Sequence, residues 1–517
     1  MAVIDLNRAS RRAVLRTAGC AVLSLATACT RATASPTVGS QSRPGTTAPA
    51  APVSPTTTAI SPRSPTPVSP RLRSPAFAAQ GTPATDDLAA DGYSWANARP
   101  LLLDRLGNRI ALAQRYNGVD KYHTFVFAND DGVWRDSSLI ERALERGTAA
   151  YDPVRDLLHV LWKGTSTADG IRYLRYTIAR DDRGGIAAIA PDEAVNLQLD
   201  RQTTGEMRYE HPLLLWCDDP AFGPNGALVA AWSARNIGEG GPGNEVRAAR
   251  CVLGDASSAG GQEADWTPVV AASTSTIGNP PQVAYTTLAA NGGTGIMYPS
   301  VGRKRAGARA GDLYLAYHDG ATTESPGGMW MLRRAGWSAA TGDWRGGLSN
   351  PVVLAPLELG GDGGYALKRQ LGTAVVEDER GDGVFVGFPL WRGERGDTWA
   401  FAEVDGADKA TVVEVYSAGG AHSYAPTGDI AYDATRRRLV VAYCTTGTQA
   451  VLVRLYDGTT AGEATVAFHA APADTPLLVE GASGSDGMRV PLLLRDTTNT
   501  PVEPYHGWYG TLQWPSP

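Results

Sequence analysis

Five residues in the body of the chain are candidates to transfer protons or to bind a carboxylate. They occupy similar places in a repeating pattern, just before or at the start of short apolar stretches: His211, Tyr298, Arg369, His422 and Tyr424. A β-elimination on a uronic acid needs a cation at the carboxylate, a base for the acidified proton and an acid for the leaving oxygen. Arg369 could be the cation. His211 or His422 could be the base, and Tyr298 or Tyr424 the acid.

Other residues at similar places could bind a sugar chain. An aromatic side chain can stack on a sugar ring and a cation can hold an acidic group, so the candidate substrate-binding residues are Trp95, Arg99, Arg146, Tyr209 and Lys368. A glycoside hydrolase would instead use two carboxylates about 5–10 Å apart. For that reaction the sequence offers Glu210, Asp218, Asp219 and Asp429.

The elements that must position these residues follow from an internal repeat. In each copy a short apolar stretch ends in Asp or a turn, and after a tight polar turn a second apolar stretch ends near an aromatic residue. Six clear copies and a weaker seventh lie at 99–116, 147–162, 212–232, 298–317, 371–391, 427–443 and 476–495. Alternating stretches such as 122–128, 171–178, 329–334, 451–456 and 508–514 predict a third strand, and Trp134, Trp266 and Trp344 mark a fourth.

Four strands recurring in this way are typical of a β-propeller blade. We therefore predict an all-β, seven-bladed β-propeller of four-stranded blades over residues 86–517, with a two-domain β-sandwich protein as the alternative. The weak last blade should close the ring with a strand from residues 86–97. The starts of the innermost strands then meet at one mouth of the central channel, which is where the candidate residues stand.

Residues 128–134 (ANDDGVW) resemble the BNR or Asp-box repeat of sialidases and related propellers. The segments 298–300 with 313–317, and 422–426, are similar to the BNR-containing propellers that include ulvan-type polysaccharide lyases. The resemblance covers roughly residues 94–514 and implies the propeller fold and a carbohydrate-active function. Sialidases carry an Arg-Ile-Pro motif where this chain has Asn108-Arg109-Ile110-Ala111, which argues against sialidase activity.

The N-terminus predicts export. Residues 1–29 combine a basic start with Arg11-Arg12, a short apolar middle and small residues before Cys29, as in a twin-arginine, lipoprotein-type signal peptide. Cys29 would then carry a lipid, and a plain cleaved signal is the alternative. Residues 30–85, rich in Pro, Ser, Thr and Ala, predict a disordered linker. With a lipid on Cys29 this linker would hold the body away from the cell membrane, and without the lipid the protein would be secreted.

Charge and cysteine content narrow the partners. Residues 1–85 hold nine arginines and one aspartate, which leaves 38 basic and 52 acidic residues in the body. This acidic body argues against a nucleic-acid partner, but a local basic cleft could still accept a polyanion. Cys217 and Cys251 could pair across neighbouring strands, which would leave Cys444 as a buried thiol. No spacing indicates a metal or another cofactor, and we expect a monomer.

Three functions remain open. The first is a polysaccharide lyase acting on a uronate-containing polymer. The second is a non-catalytic propeller that binds a glycan or a protein. The third is a sialidase-like glycoside hydrolase. The sequence leaves open whether the chain is an enzyme.

Overall fold

The computed structural model describes residues 76–79, 101–116, 121–142, 146–163, 170–200, 207–218, 225–236, 244–253, 261–269, 286–291, 297–319, 329–338, 340, 343–356, 374–391, 397–417, 428–433, 437–445, 450–458, 460–461, 465–466, 473–478, 489–496 and 507–513. All of these belong to one compact unit, Ser69–Pro517. No helix among them is long and apolar enough to cross a membrane.

The described residues form 31 strands and a short 3-10 helix, Glu263–Asp265. The chain begins with β1 (Ala76–Ala79). Blade one contains β2 (Leu101–Leu103), β3 (Arg109–Tyr116), β4 (Lys121–Ala128) and β5 (Trp134–Arg142). Blade two contains β6 (Arg146–Asp152), β7 (Leu157–Lys163), β8 (Ile171–Arg180) and β9 (Ile186–Asp200). Blade three contains β10 (Met207–Cys217), β11 (Ala227–Asn236), β12 (Asn244–Val252), β13 (Trp266–Pro268) and β14 (Thr286–Asn291).

Blade four contains β15 (Met297–Arg303), β16 (Leu313–Asp319), β17 (Met329–Ser338), β18 (Asp343–Leu348) and β19 (Val352–Pro356). Blade five contains β20 (Ala374–Glu377), β21 (Val384–Trp391), β22 (Asp397–Val404) and β23 (Ala410–Ser417). Blade six contains β24 (Gly428–Asp433), β25 (Arg438–Thr445), β26 (Ala450–Asp457), β27 (Thr460–Ala461) and β28 (Thr465–Val466). Blade seven contains β29 (Ala473–Leu478), β30 (Arg489–Asp496) and β31 (Gly507–Gln513), with β1 as its outer strand.

In the described residues these strands make seven antiparallel sheets. Each follows chain order from its first strand outward, except that β1 is the outer strand of blade seven. The outer strand is divided into two pieces in blades three, four and six. The first strands of successive blades pack side by side from β2 through β6, β10, β15, β20 and β24 to β29. This arrangement is a seven-bladed β-propeller and confirms the predicted fold.

The hydrophobic core lies between blades, because both faces of each sheet are apolar. One cluster joins blades two and three around Trp232, and another joins blades three and four around Trp344. Similar clusters join blades one and two, four and five, and five and six. Trp399 packs on both Gly387 of its own blade and Gly428 of the next, where a Cβ would collide with the indole. Glycine at these two positions therefore lets the sheets approach.

The repeat predicted from the sequence corresponds to real elements. Its seven copies are the first two strands of the seven blades. The alternating stretches form third strands, and Trp134, Trp266 and Trp344 lie at or near the start of fourth strands. Trp266 and Trp344 are buried, which explains why the outer strands retain a large aromatic residue.

The closing strand differs from the prediction. β1 pairs with β31, with Ala76 opposite Gln513 and Ala79 opposite Gly510. The ring is therefore closed by residues 76–79, which the sequence analysis placed in the linker, and 86–97 lie outside the described residues. The pairing of β1 with β31 depends on backbone hydrogen bonds, so a short run of small residues can form this strand without an alternating pattern.

The proposed pairing of Cys217 and Cys251 is wrong. Both are buried and neither forms a disulfide. Cys217 packs in the core between blades three and four, whereas Cys251 packs between blades two and three, on the opposite face of the sheet. Their strands β10 and β12 are also separated by β11, which places them roughly 10 Å apart. The side chain of Cys444 lies outside the described residues, as does Cys29.

Candidate functional site

The two rims of the ring differ in the parts of the blades that they contain. We call the rim with the turns between first and second strands, and between third and fourth strands, the hairpin rim. The other, where first and third strands begin and second and fourth strands end, is the mouth rim. Four candidate residues that the structure describes belong by their strand positions to the mouth rim: Arg146, Tyr209, His211 and Tyr298.

The hairpin rim is held together by ion pairs and hydrogen bonds between neighbouring blades. Arg180 of blade two pairs with Asp104 of blade one and with Asp156 of its own blade. Four further cationic residues join successive blades: Arg155 binds the carbonyls of Asn225 (3.2 Å) and Leu253 (3.5 Å), Arg303 pairs with Asp218, Lys304 with Glu377 (3.3 Å), and Arg380 with Asp457 (3.6 Å). The charges of this rim are therefore used in structure.

The Asp that ends several first strands stabilises the turn that follows. Asp104 Oδ1 accepts hydrogen bonds from the backbone N–H of Leu106 (2.9 Å) and Asn108 (2.8 Å). Asp152 Oδ1 accepts from Val154 (2.8 Å) and Asp378 Oδ1 from Arg380 (3.0 Å) in the same way. These carboxylates cap hairpins, which accounts for the Asp in the repeat without a catalytic role.

The mouth rim has a different recurring feature, a one-residue β-bulge at an X-Pro pair. In β10, His211 and Pro212 together lie opposite Trp232. In β15, Tyr298 and Pro299 lie opposite Tyr317, and in β29 Thr475 and Pro476 lie opposite Leu494. Proline lacks the N–H that a ladder needs, so within sheets it is confined to edges and bulges. Bulges are frequent beside active sites, where they redirect a side chain.

The structure places four candidate residues at the mouth rim. His211 and Tyr298 hold the same bulge position on the first strands of neighbouring blades, and β10 and β15 pack side by side. Arg146 is the first residue of β6, and Tyr209 precedes the bulge of β10. Trp95, Arg99, Lys368, Arg369, His422 and Tyr424 lie outside the described residues.

A fully buried charged cluster supports the bulge that contains His211. Asp200, the last residue of β9, accepts hydrogen bonds at Oδ2 from Trp232 Nε1 (2.8 Å) and from Arg247 Nη1 (2.8 Å). Arg247 Nε also donates to Glu245 Oε2 (3.0 Å). All four side chains have an exposed fraction of 0%. Since Trp232 is the residue opposite His211 and Pro212, the cluster fixes the strand against which the bulge forms.

Two of the described histidines, His159 and His318, are buried in the sheets. His159 is buried, its Nδ1 lies 2.6 Å from the Tyr173 hydroxyl, and its Nε2 lies 3.7 Å from Asp152. Burial lowers its pKa below the usual value, so it is neutral near pH 7. His318 is buried and its ring meets Trp330 edge-on.

The Asp-box-like segment forms the turn between β4 and β5 on the hairpin rim. Gly132 adopts a φ of 72°, and the Asp131 carboxylate accepts the N–H of Val133 (3.0 Å). A hydrogen bond from Arg135 lowers the pKa of Asp131 to about 2. This carboxylate is a surface turn residue, far from the mouth in the blade. Within the described ranges no group of three or more His, Cys, Asp or Glu could hold a metal ion.

The bulges were not predicted from the sequence, although a signal for them exists. A proline follows the candidate residue at His211-Pro212 and Tyr298-Pro299, and recurs at Thr475-Pro476 in the same place of blade seven. Proline in an otherwise regular strand pattern predicts an edge strand or a bulge. That the three positions are equivalent can be seen only from the strand registers.

Comparison with known proteins gives structural likeness without a family. No protein-family model matches the chain, and no curated protein matches it. Among solved structures, the WD40 domain of Toxoplasma gondii coronin has a TM-score of 0.43 at 12% identity, covering 86% of this chain and 88% of that one. The subtype N11 neuraminidase-like protein of A/flat-faced bat/Peru (H18N11) has a TM-score of 0.38 at 11% identity, covering 86% of this chain and 94% of that one. The α-L-arabinanase of Cellvibrio cellulosa has a TM-score of 0.31 at 12% identity, covering 62% and 95%. The topology of its own sheets identifies the chain as a seven-bladed β-propeller.

Proposed function

We propose that the chain is a carbohydrate-active enzyme whose site lies at the mouth rim, where it cleaves a uronate-containing polysaccharide by β-elimination. The observation that carries the proposal is the equivalence of His211 and Tyr298. Both precede a proline in a one-residue bulge, on the adjacent first strands β10 and β15. A base and an acid on neighbouring strands at one mouth are the pair that this reaction needs.

The spacing of the blades suits a sugar between the two residues. Packed sheets lie about 10 Å apart, so a ring held between neighbouring blades can be reached from both. The histidine removes the proton from the carbon that bears the carboxylate. The electron pair of that C–H bond forms a C=C bond as the bond to the glycosidic oxygen breaks. Tyrosine then protonates that oxygen, and no water is consumed. Arg369 and the cations of the mouth rim would neutralise the carboxylate.

The proposal includes a place of action outside the cytoplasm. It rests on residues 1–29, where Arg11-Arg12, the apolar middle and Cys29 match an export signal with a lipid-accepting cysteine. The polymer would thus be met at the cell surface. Absence of labelled palmitate from the full chain would contradict the anchor and leave a secreted protein, whereas label that persists after Cys29→Ala would contradict the assignment of the lipid to Cys29.

The test of the reaction uses the full chain and a panel of uronate polymers, including alginate, polygalacturonate and hyaluronan. We expect ultraviolet absorbance from the new C=C bond with at least one polymer. His211→Asn and Tyr298→Phe should each reduce the rate by about 100-fold or more. Thr475→Ala changes the same bulge position in blade seven and should retain activity.

Other outcomes contradict the lyase in distinguishable ways. Release of reducing ends without absorbance would indicate a hydrolase. Retention of a polymer with no product would indicate a non-catalytic glycan-binding propeller. Full activity of both His211→Asn and Tyr298→Phe would remove these residues from the mechanism.

A further inference from the structure

Two neighbouring side chains of blade two contain buried donor nitrogens without a hydrogen-bond acceptor. In the residues that the structure describes, Arg172 Nε and Trp162 Nε1 are both buried, and neither donates a hydrogen bond. Trp162 has an exposed fraction of 3%. Buried polar groups of native proteins are nearly always hydrogen-bonded, so each exception needs an explanation. Two such donors side by side indicate a place that an acceptor from outside the chain can fill.

Both residues lie at the mouth rim, on the face of blade two that packs on blade one. Trp162, near the end of β7, lies directly opposite Arg172, near the start of β8. The indole belongs to the core cluster that joins blades one and two. The guanidinium carbon of Arg172 lies 5.8 Å from the centre of the indole ring. The two donors therefore share the mouth end of one seam between blades.

The strands beside this pair contribute uncharged residues. Gly147 lies opposite Trp162 on β6, and Leu112 of blade one fills the space next to it, with Cδ2 3.2 Å from the place of a Cβ. Gln198, which is half-buried, lies opposite Arg172 on β9. Apolar surroundings strengthen the attraction between a cation and an anion, because they screen it less than water does.

Arg172 has no carboxylate partner in the described part of the chain, and its contact is with the Trp162 ring. By contrast Arg175, on the same strand, pairs with Asp192 at 2.6 Å. An arginine side chain remains protonated in proteins, so the positive charge of Arg172 is permanent. The seam therefore presents a permanent cation and two N–H donors, which is the complement of an anion with acceptor oxygens.

A carboxylate has both properties. We propose that Arg172 and Trp162 form a binding site for a carboxylate, which one acidic sugar of the polymer supplies. The planar guanidinium can donate two parallel hydrogen bonds to the two oxygens of a carboxylate. The anion site itself rests on the contacts of these two side chains. The choice of an acidic sugar as the carrier of the carboxylate rests on the proposed function.

This site is separate from the proposed reaction centre. Packed sheets lie about 10 Å apart, so the seam between blades one and two is roughly 20 Å from the seam between blades three and four. His211 and Tyr298 belong to the two strands at that second seam. A carboxylate held by Arg172 therefore belongs to a sugar that is not cleaved. The site selects which polymers bind and takes no part in breaking the bond.

The experiment measures the affinity of the full chain for galacturonate and glucuronate, single sugars that have no glycosidic bond to cleave. Their methyl esters are the uncharged control ligands and should not bind. Arg172→Gln should weaken binding of the acids about tenfold, because a charge-assisted hydrogen bond is lost. Arg172→Lys keeps the charge without the planar donors and should stay several-fold weaker than the wild type. Trp162→Phe keeps an aromatic ring without the N–H and should bind about threefold more weakly.

Arg183→Gln is the matched control, because Arg183 is exposed on the hairpin rim of the same blade. It has the same change in net charge and should bind as the wild type. Equal affinity of Arg172→Gln and the wild type would overturn the site, since water would then satisfy the buried donors. Equal losses in Arg172→Gln and Arg183→Gln would overturn it as well. Tighter binding of inorganic phosphate than of either uronate, at the same ionic strength, would overturn the choice of a carboxylate.

Turnover of a polymer separates this site from the reaction. With a polymer that gives C=C absorbance, Arg172→Gln should raise KM about tenfold with little change in kcat, whereas His211→Asn lowers kcat. A loss of kcat as large as that of His211→Asn would contradict a site outside the reaction centre. Uronate binding that depends on Arg172, without C=C formation from any polymer, would preserve the site and reject the lyase.

Discussion

The carboxylate of Asp200 shows how a single residue can link the core to the candidate site. It accepts hydrogen bonds from Trp232 and Arg247 with no exposure to solvent. A buried charge is costly unless it is paired and hydrogen-bonded, so the members of this cluster depend on one another. Because Trp232 lies opposite the bulge of His211, a disturbance here reaches the mouth rim.

Arg247→Met should be strongly destabilising. The change removes the cation between Asp200 and Glu245 and leaves two carboxylates without their partner in the core. We expect the free energy of unfolding to fall by about 3–5 kcal/mol, the usual cost of breaking a buried ion pair. Urea unfolding followed by tryptophan fluorescence measures it. Arg183→Met, on an exposed turn, is the control, and equal midpoints for the two variants would show that the cluster contributes little.

His159 should make stability depend on pH. Burial lowers its pKa in the folded state, whereas in the unfolded chain the value is about 6.5. Above pH 6.5 the ring is neutral in both states, and below it the unfolded state takes up a proton that the folded state does not. Stability is therefore full above about pH 6.5 and decreases as the pH falls.

The comparison with His159→Gln isolates this contribution. Between pH 6.5 and 5.5 the wild type should lose about 1 kcal/mol more unfolding free energy than the variant. The measured quantity is the difference between the two slopes of unfolding free energy against pH. A loss of stability that the substitution causes equally at every pH does not affect this difference. Identical slopes would mean that His159 takes up a proton equally readily in the folded and unfolded states.

At the scale of the elements, the turns of the hairpin rim link neighbouring blades through ion pairs. Arg180→Met breaks contacts with Asp104, whose side chain is fully buried, and with Asp156. We expect a loss of about 2–3 kcal/mol, less than for a fully buried pair because Arg180 is partly exposed. Arg135→Met breaks an exposed pair within one turn and should leave the unfolding free energy nearly unchanged. Similar losses of unfolding free energy in both variants would contradict a stabilising link between blades one and two.

The sequence predicted most of these elements because their signals are local. Alternation of apolar residues, an Asp before a tight turn and a tryptophan at the fourth strand each depend on neighbours in the chain. The bulges were missed because they require knowing which residues lie opposite one another. The possible Cys217–Cys251 pair failed for the same reason, since sequence separation does not tell which face of a sheet a residue occupies.

At the scale of the whole molecule, the candidate site depends on which strand starts meet. The sequence predicted that His211 and Tyr298 lie at one mouth, and the ring places their strands side by side.

Ring closure is the property of the whole molecule that depends on the smallest element. β1 contributes four residues, Ala76–Ala79, opposite Gly510–Gln513. A chain that begins at residue 71 retains β1, whereas one that begins at residue 81 lacks it, and both lack residues 1–70. The shorter chain loses a few backbone hydrogen bonds of about 1 kcal/mol each and leaves β31 as an open edge. We expect its thermal midpoint, measured by circular dichroism, to be about 5 °C lower and its aggregation to be greater. Equal midpoints would mean that β1 is dispensable for the stability of the ring.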